Sequence, residues 1–269
     1  MDVGLDASGE GRIDLEVETR EGGAVATVII NNPVKLNIMT PAMCEDFVSR
    51  VREAEGIADV RAIVLTGAGD RAFIGGADIS AMAEFDCGSA RAFITALHEV
   101  CSIVREVEVP VIAKIDGFCL GGGMEIAAAC DMRIATEGSL FGMPEVRVGI
   151  PSVIEAALLP GLIGWGKTCE LLFTGATVKA PEALAMGFLQ RMTVAGELDA
   201  ALDHWLKGIL ASGPRAIALQ KQLMRRWEKT TMDQAIAAGI DSFVSAYETD
   251  EPGRMMRAFL NRRSAPKAG

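Results

Sequence analysis

Histidine, tyrosine and closely spaced cysteine pairs are scarce or missing in this chain of 269 residues. Two histidines, one tyrosine and six cysteines are present, and no two cysteines form a C-x-x-C pair. We therefore expect neither a zinc site nor a dithiol redox motif, and we interpret the cysteines as free thiols in a reducing compartment. His98 lies in a predicted amphipathic helix from Ala90 to Glu106 and is interpreted as a surface or core histidine, so a Ser-His-Asp triad has little support.

Long apolar runs and an excess of basic charge are also missing. No uninterrupted apolar stretch reaches about 18 residues, so no membrane span is predicted. The first residues, Met1 to Asp6, contain neither a basic region nor an apolar core, so we expect no signal peptide and a cytoplasmic location. The net charge of −10 argues against a broad nucleic-acid-binding surface, and a composition that is 50% hydrophobic and 23% charged indicates a folded protein.

Basic residues are concentrated at the end of the chain. Five of them, with no acidic residue, lie between residues 254 and 269: Arg254, Arg257, Arg262, Arg263 and Lys267. Such a cluster is typical of a solvated helix end, where cations complement the helix dipole. It would equally suit an anionic ligand, and charge alone leaves both interpretations open.

Strand and helix signals alternate along the first two thirds of the chain. Residues 13–19 and 24–30 read as strands joined by a hairpin at Gly22-Gly23, and a helix from Pro41 to Glu55 begins after Thr40, its predicted N-cap. Further strands are predicted at 62–66, 111–115, 132–135 and 140–141. This alternation of strands and helices indicates an α/β fold.

The last part of the chain shows a different pattern. From about Glu197 the residues favour helix almost throughout, with segments predicted at 197–211, 214–229, 231–247 and 252–262. We therefore divide the chain into a loose tail over residues 1–11, an α/β core over residues 12–196 and a helical region over residues 197–269.

The strongest chemical signal is a glycine turn that leads into a helix. Gly121, Gly122 and Gly123 follow a predicted buried strand and precede a helix that carries Glu125. The first N–H groups of a helix have no partner within it, and glycines let an oxygen atom approach them closely. This arrangement suits an oxyanion hole, although a glycine triplet alone is more typical of a tight turn.

Two other segments contain groups that could take part in the same reaction. The pair Gly75-Gly76 forms a second glycine turn before Ala77 and a predicted helix, and Glu145 lies in a further turn. Each feature alone has a structural explanation, since a glutamate in a first helical turn complements the helix dipole and Glu145 is compatible with a surface position. In combination with Glu125, they predict a reaction at the carbon next to a thioester carbonyl. Backbone N–H groups would hold the oxygen, and carboxyl groups would move the proton.

One literal motif match is rejected. Residues 161–168 match the phosphate-loop pattern G-x-x-x-x-G-K-[ST]. A phosphate loop follows a buried strand, whereas the segment from Ile154 to Pro160 reads as a helix ended by the proline. No apolar strand ending in aspartate follows to hold magnesium, so nucleotide hydrolysis is not predicted.

Several motifs, in order and at matching spacing, resemble the crotonase family, which is the enoyl-CoA hydratase/isomerase superfamily. The resemblance extends from about Ile13 to Arg263. Its segments are Asn32-Pro33 with Leu36-Asn37, Val64 to Asp78, Asp116 to Glu125 with Cys130-Asp131, Phe141 to Glu145, and Thr174-Gly175 with Ala180, Ala183 and Gly187. The resemblance implies a spiral of ββα units followed by a C-terminal helical region that forms trimers.

The resemblance also implies roles for individual residues. The N–H groups of Ala77 and Gly122 would form the oxyanion hole. Glu125 and Glu145 would be the catalytic acid and base, with water activation assigned to Glu125 and protonation to Glu145. The residues implied in substrate binding are Lys35, Leu36, Gly76, Asp78, Ile79, Gly121 and Arg262. The substrate would be an acyl-CoA thioester, and neither a metal nor a further cofactor is implied, because coenzyme A is part of the substrate.

The implied function is that of an enoyl-CoA hydratase, a lyase that adds water across the 2,3 double bond of a 2-enoyl-CoA thioester. We expect it to work as a homotrimer or a dimer of trimers, without nucleic-acid or membrane partners. The chain departs from the family pattern at residues 149–155, which carry bulkier residues and a third carboxylate, Glu155. An isomerase or an acyl-CoA thioester hydrolase of the same family therefore stays an alternative. A non-catalytic scaffold that binds CoA thioesters is another, although the presence of both glutamates weighs against it.

Overall fold

The computed structural model describes residues 11–264 of the chain and the side chains of residues 11–261. Within that range the chain forms ten strands, ten α-helices and three short 3-10 turns. No helix in the same range is both long enough and apolar enough to cross a membrane. The predicted loose tail lies outside the described residues apart from Gly11, and so do Lys267 and the side chains of Arg262 and Arg263.

The strands predicted from sequence and the predicted helices occur at the expected places, apart from residues 154–160, which are described below. The short strands at 72–74, 118–120, 177–179 and 191–193 and the helices at 159–174 and 180–185 were not predicted. The strands are β1 (Arg12–Arg20), β2 (Gly23–Asn31), β3 (Val60–Gly67), β4 (Ala72–Ile74), β5 (Val111–Ile115), β6 (Phe118–Leu120), β7 (Met132–Thr136), β8 (Leu140–Gly142), β9 (Thr177–Lys179) and β10 (Arg191–Thr193). The helices are α1 (Pro41–Gly56), α2 (Ile79–Met82), α3 (Cys87–Glu106), α4 (Gly122–Ala129), α5 (Leu159–Thr174), α6 (Ala180–Ala185), α7 (Leu198–Leu210), α8 (Pro214–Trp227), α9 (Met232–Ala246) and α10 (Glu251–Ser264). Local signals explain such agreement: the Thr40 hydroxyl caps α1 by accepting the Met43 N–H at 3.3 Å.

The strands form two sheets. The larger sheet has the order β1-β2-β3-β5-β7-β10, and the smaller sheet has the order β4-β6-β8-β9. β1 and β2 form the predicted antiparallel hairpin, with Arg20 opposite Gly23, and the strands from β2 to β10 of the larger sheet run parallel. In the smaller sheet β4, β6 and β8 are parallel, and β9 is antiparallel to β8.

One unit is repeated along the core. β3, β5 and β7 each add a strand to the larger sheet, and β4, β6 and β8, which follow them in the chain, each add a strand to the smaller sheet. Helices come after each pair: α2 and α3 after β4, α4 after β6, and α5 after β8. The fold is therefore a mixed α/β spiral of ββα units followed by a helical C-terminal region, as predicted.

The larger sheet is buried on both faces. One face joins a core with the smaller sheet and with helices α1, α3 and α4. The other face packs against α7, whose leucines recur every four residues and so form one apolar stripe. The side chains of this second core are Val25, Ala62, Val64, Ile112 and Ile134 from the sheet and Leu198, Leu202, Leu206 and Leu210 from α7.

The prediction for residues 154–160 is wrong. Ile154–Leu158 forms a 3-10 turn, and Pro160 lies in the first turn of α5 rather than at the end of a helix. Proline is tolerated in a first helical turn because the N–H that it lacks would have no partner there. The residues that match the phosphate-loop pattern lie inside α5, which is kinked at Gly164.

An ion pair between a buried lysine and a partly exposed aspartate connects the C-terminal helices to the core. Lys221 of α8 is only 7% exposed, and its Nζ lies 2.8 Å from Oδ2 of Asp131. Nζ also donates to the carbonyl oxygens of Val104 and Val109, at 3.1 and 2.9 Å. Burial lowers the pKa of Lys221, and Asp131 opposes that shift. These three acceptors fix α8 against the end of α3 and the start of β5.

Helix α9 exposes a row of large apolar side chains. Met232, Ile236, Ile240, Phe243 and Tyr247 recur at spacings of three and four residues, which places them on one face of the helix. The rings of Phe243 and Tyr247 pack together, with their centroids 5.4 Å apart. An apolar surface of this kind is typical of an interaction site.

Candidate active site

Three neighbouring parallel strands end at one edge of the smaller sheet. β4 ends at Ile74, β6 at Leu120 and β8 at Gly142. Because parallel strands have their carboxyl ends at the same edge, the turns that follow them lie side by side. These turns and the helix that follows β6 carry the predicted site residues Ala77, Gly122, Glu125 and Glu145.

Glu125 lies in the first turn of α4 and is only 3% exposed. Its Oε1 accepts a hydrogen bond from the N–H of Ala156 at 3.3 Å. Burial, and to a smaller extent the charges of Glu145 and Glu155, raise the pKa of Glu125 to about 8. The carboxyl group therefore keeps its proton at neutral pH in the resting structure.

Glu145 begins a 3-10 turn shortly after β8 ends. Its Oε2 accepts a hydrogen bond from the hydroxyl of Ser152 at 2.8 Å. Its Oε1 lies against Gly121, where an added Cβ would be 2.6 Å away. Gly121 in turn donates its N–H to the carbonyl of Gly142 at 2.9 Å. The glycine turn and the segment with Glu145 are therefore held together.

Glu145 affects the protonation of Glu125. The charge of Glu145 is one cause of the raised pKa of Glu125, because a nearby negative charge disfavours ionisation of a carboxyl group. Such a pair can present one carboxylic acid and one carboxylate at the same time. Proton donation and proton abstraction require that combination.

The amides of Ala77 and Gly122 are free to bind an acceptor. Neither donates a backbone hydrogen bond within the part of the chain that the structure describes. Gly122 is the first residue of α4, where the helix offers its N–H no acceptor. Gly123 lets the two turns approach, because a Cβ there would collide with the carbonyl oxygen of Ile74. Unpaired N–H groups from adjacent turns are what an oxyanion hole requires.

The predicted CoA-side loop reaches the same edge. Lys35 and Leu36 lie at the end of a 3-10 turn, and the carbonyl of Leu36 accepts the N–H of Gly75 at 2.8 Å. Nζ of Lys35 lies 3.9 Å from Oδ2 of Asp78, whose carboxylate caps the short helix α2. Ile79, the first residue of that helix, is exposed. The loop, the first glycine turn and α2 thus form one continuous surface.

A family model described as Enoyl-CoA hydratase/isomerase matches residues 20–267. The chain belongs to this family. It is 36% identical over 242 residues to the Short-chain-enoyl-CoA hydratase of Clostridium acetobutylicum, with 90% of this chain and 93% of the relative covered. It is 33% identical to the Crotonyl-CoA hydratase of Syntrophomonas wolfei, with the same coverage of 90% and 93%. A solved enoyl-CoA hydratase from Bacillus anthracis has a TM-score of 0.88 and 26% identity, covering 93% of this chain and 96% of that one.

One cavity of this enoyl-CoA hydratase/isomerase family member is lined by neither Glu125 nor Glu145. It has a volume of about 750 Å³ and is lined by residues 31–35 and 66–69, with Lys114 and Asp116 among the other residues. Among the predicted substrate-binding residues with described side chains, only Lys35 lines this cavity. The cavity therefore adjoins the loop predicted to bind CoA and does not include the two glutamates. Arg262 cannot be related to either, because its side chain lies outside the described residues.

The cysteines of this family member form no metal or redox centre in residues 11–261. No three His, Cys, Asp or Glu side chains in this range converge to hold a metal ion, and all six cysteines are free. Burial raises the pKa of Cys101 and Cys119, and raises that of Cys130 to about 12, so these residues are neutral thiols at physiological pH. They act as small core side chains.

Sequence reasoning missed one contact next to the glutamates. Glu155, the third carboxylate of the departing segment, pairs with His98 of α3, whose Nδ1 lies 3.1 Å from Oε1 and 3.2 Å from Oε2. His98 is exposed, which agrees with the surface interpretation made from sequence, and its ring contacts the buried Glu155. The two residues are 57 positions apart, and no local pattern connects them. Departure from the family pattern was the only signal in the sequence that could have drawn attention to Glu155.

Proposed function

We propose that this chain is an enoyl-CoA hydratase, which adds water across the 2,3 double bond of a 2-enoyl-CoA thioester. The observation that carries the proposal is the placement of Glu125 and Glu145 at the edge where the amides of Ala77 and Gly122 are unpaired. Membership of the family and 36% identity to a short-chain hydratase support the same reaction.

In this mechanism the thioester oxygen binds between the N–H groups of Ala77 and Gly122. Water attacks C3, the electron pair of the double bond moves toward the carbonyl, and negative charge builds on the oxygen. The two amides stabilise this enolate more than the ground state, which lowers the barrier. Protonation of C2 restores the carbonyl and gives a 3-hydroxyacyl-CoA, so water is added without any net transfer of electrons.

We assign water activation to Glu125 and protonation of C2 to Glu145, as the resemblance implies. Because Glu125 keeps its proton near neutral pH, it must lose that proton before it can accept one from water. Glu145 must hold the proton that it donates to C2, and the proton that Glu125 takes from water replaces it after each turnover. The assignment therefore requires that activity increase as Glu125 ionises. Neither step requires a metal or a redox cofactor, since both are proton transfers beside a stabilised oxyanion.

We propose that CoA extends over Lys35, Leu36, Asp78 and Ile79, and that the acyl group is short. The first part rests on the contact of the 32–37 loop with the first glycine turn. The second rests on the names of two relatives, one a short-chain-enoyl-CoA hydratase and the other a crotonyl-CoA hydratase. Arg262 remains a proposed phosphate contact, including across a subunit boundary.

We propose that the C-terminal helices assemble the protein into a trimer or a dimer of trimers. The support is the apolar face of α9, whose side chains a monomer would leave in water. Burial of such a face between copies gains hydrophobic free energy, roughly 25 cal/mol for each Å² removed from water. A cytoplasmic location stays a prediction.

An isomerase or a thioester hydrolase of the same family is the second candidate. The observation that favours it is Glu155, a buried carboxylate in the segment that departs from the family pattern. A non-catalytic scaffold is disfavoured by Glu125, because burying a carboxyl group destabilises a fold that makes no use of it.

The decisive experiment follows the loss of the conjugated enoyl absorbance of crotonyl-CoA and identifies the product by mass spectrometry. A product heavier by one water supports the hydratase, an unchanged mass supports the isomerase, and free CoA supports the hydrolase. Glu125→Gln and Glu145→Gln should each lower kcat by about 10²–10⁴-fold while thioester binding is kept. Near-wild-type turnover in either variant would remove that residue from the mechanism.

A further inference from the structure

The 3-10 turn at residues 154–158 contributes two groups to the surroundings of Glu125. The N–H of Ala156 donates to Oε1 of Glu125 at 3.3 Å. The side chain of Glu155, only 11% exposed, adds a negative charge that helps to raise the pKa of Glu125. One backbone turn therefore both holds the proposed base and places a carboxylate beside it.

Glu155 faces a defined set of titratable groups. His98 and Cys101 approach it from α3, and Glu125 approaches it from α4. Helix α5, the third element packed against the turn, begins with residues 159–161, Leu-Pro-Gly, which carry no charge. Burial and Glu155 raise the pKa of Cys101, so that thiol stays neutral. His98 is therefore the only one of these groups that can carry a positive charge.

The imidazole of His98 is oriented by contacts at both ring nitrogens. Its Nδ1 lies within 3.2 Å of both carboxylate oxygens of Glu155, so an Nδ1–H donates to the carboxylate. Its Nε2 lies 3.3 Å from the hydroxyl of Ser102, one helical turn further along α3. This geometry suits the neutral ring and the cation equally, since a hydroxyl can donate or accept.

The backbone before Glu155 is strained. Ile154 has φ 37°, a left-handed conformation that β-branched residues rarely adopt. Strain of this kind persists when surrounding contacts hold it, and it is concentrated at functional sites. Here it coincides with the turn that directs Glu155 toward His98 and Ala156 N–H toward Glu125.

We propose that Glu155 and His98 form a positioning pair that sets the charge state of Glu125. The negative charge of Glu155 disfavours ionisation of Glu125, and the hydrogen bond from His98, which adds a positive charge when the ring is protonated, reduces that effect. In this proposal the pair acts only through Glu125. This inference rests on the proposed role of Glu125 in hydration.

The test compares Glu155→Gln, His98→Ala and the double variant, each in the full-length protein. Two quantities are measured: the pH dependence of kcat/KM for crotonyl-CoA, and the titration of the Glu125 carboxyl by ¹³C NMR without substrate. Glu155→Gln should lower the pKa of Glu125 by about one unit, because a nearby like charge is removed. His98→Ala should shift it in the opposite direction, and the double variant should resemble Glu155→Gln.

Glu99→Gln is the matched control, because it removes one negative charge from an exposed position of the same helix α3. It should leave the pKa of Glu125 unchanged. The proposal is overturned if Glu155→Gln shifts the pKa no more than Glu99→Gln does, or if His98→Ala lowers it. Because the NMR titration needs no turnover, it decides this inference even if the chain fails to hydrate crotonyl-CoA, which would contradict the proposed function separately.

Discussion

The backbone of Gly121 is packed directly against the carboxylate of Glu145. A Cβ at position 121 would lie 2.6 Å from Oε1, well inside van der Waals contact. Gly121 also has φ 53° and ψ −124°, a region of backbone space that is open to glycine and costly for other residues. The glycine turn therefore shapes two features at once: the free N–H of the next residue and the position of the second glutamate.

Gly121→Ala should displace Glu145 and lower kcat by at least tenfold. The new methyl group meets the carboxylate, and the strained backbone costs about 1–3 kcal/mol of stability. Steady-state kinetics and thermal unfolding measure the two effects. Gly166→Ala is the control, because a Cβ there meets nothing within 4 Å. Unchanged kcat in Gly121→Ala would show that Glu145 does not depend on this contact.

The pH dependence of kcat/KM should show an ascending limb with an apparent pKa near 8. A base works only after it has lost its proton, and burial raises the pKa of Glu125 to about 8. The value of kcat/KM should therefore rise with pH through that value in the wild type. The ascending limb should be absent in Glu125→Gln. A descending limb at the same pH would instead identify Glu125 as the acid and reverse the two roles.

Glu125→Gln should stabilise the protein at neutral pH. The unfolded chain releases this proton near pH 4.5, whereas the folded protein keeps it until about pH 8. The free energy of unfolding therefore falls as pH rises through this window, and removal of the carboxyl should restore on the order of 3 kcal/mol at pH 7. Urea unfolding at pH 4.5 and pH 7 measures the difference. An equal effect at both pH values would contradict the raised pKa.

Phe243→Glu should prevent assembly of the proposed trimer. The substitution places a charge in the exposed apolar face of α9, where an interface would have to bury it without a partner. Sedimentation velocity should show smaller particles than the wild type. Asp241→Lys, an exposed charge change away from that face on the same helix, should leave the size unchanged. A monomeric wild type at micromolar concentration would reject the assembly itself.

The sequence predicts the parts of this fold that depend on local chemistry. The hairpin at Gly22-Gly23 and the helix that begins at Pro41 follow from turn and capping residues close to them. Pro160 shows the limit of such reasoning, because proline both begins and ends helices and the chain alone does not say which occurs. It follows a 3-10 turn that packs against α4, and this contact is not visible in the local sequence.

Contacts between distant residues were beyond the reach of sequence reasoning. The pairs His98 with Glu155 and Lys221 with Asp131 form only because the spiral brings separate turns together. The oxyanion and glutamate segments were predicted as separate motifs, but their meeting at one edge depends on the strand order β4-β6-β8. The resemblance to the family implied this strand order through the expected fold, whereas hydrophobic periodicity along the chain gives no information about it.

Because the larger sheet is buried on both faces, one of its faces stays uncovered during part of the synthesis of the chain. The turns with the proposed catalytic groups are complete once residue 156 has been made. One face of the sheet, however, remains apolar and uncovered until the leucines of α7 emerge at residues 198–210. During that interval the nascent chain contains all the proposed catalytic residues, but the exposed apolar face of its larger sheet makes it prone to aggregation.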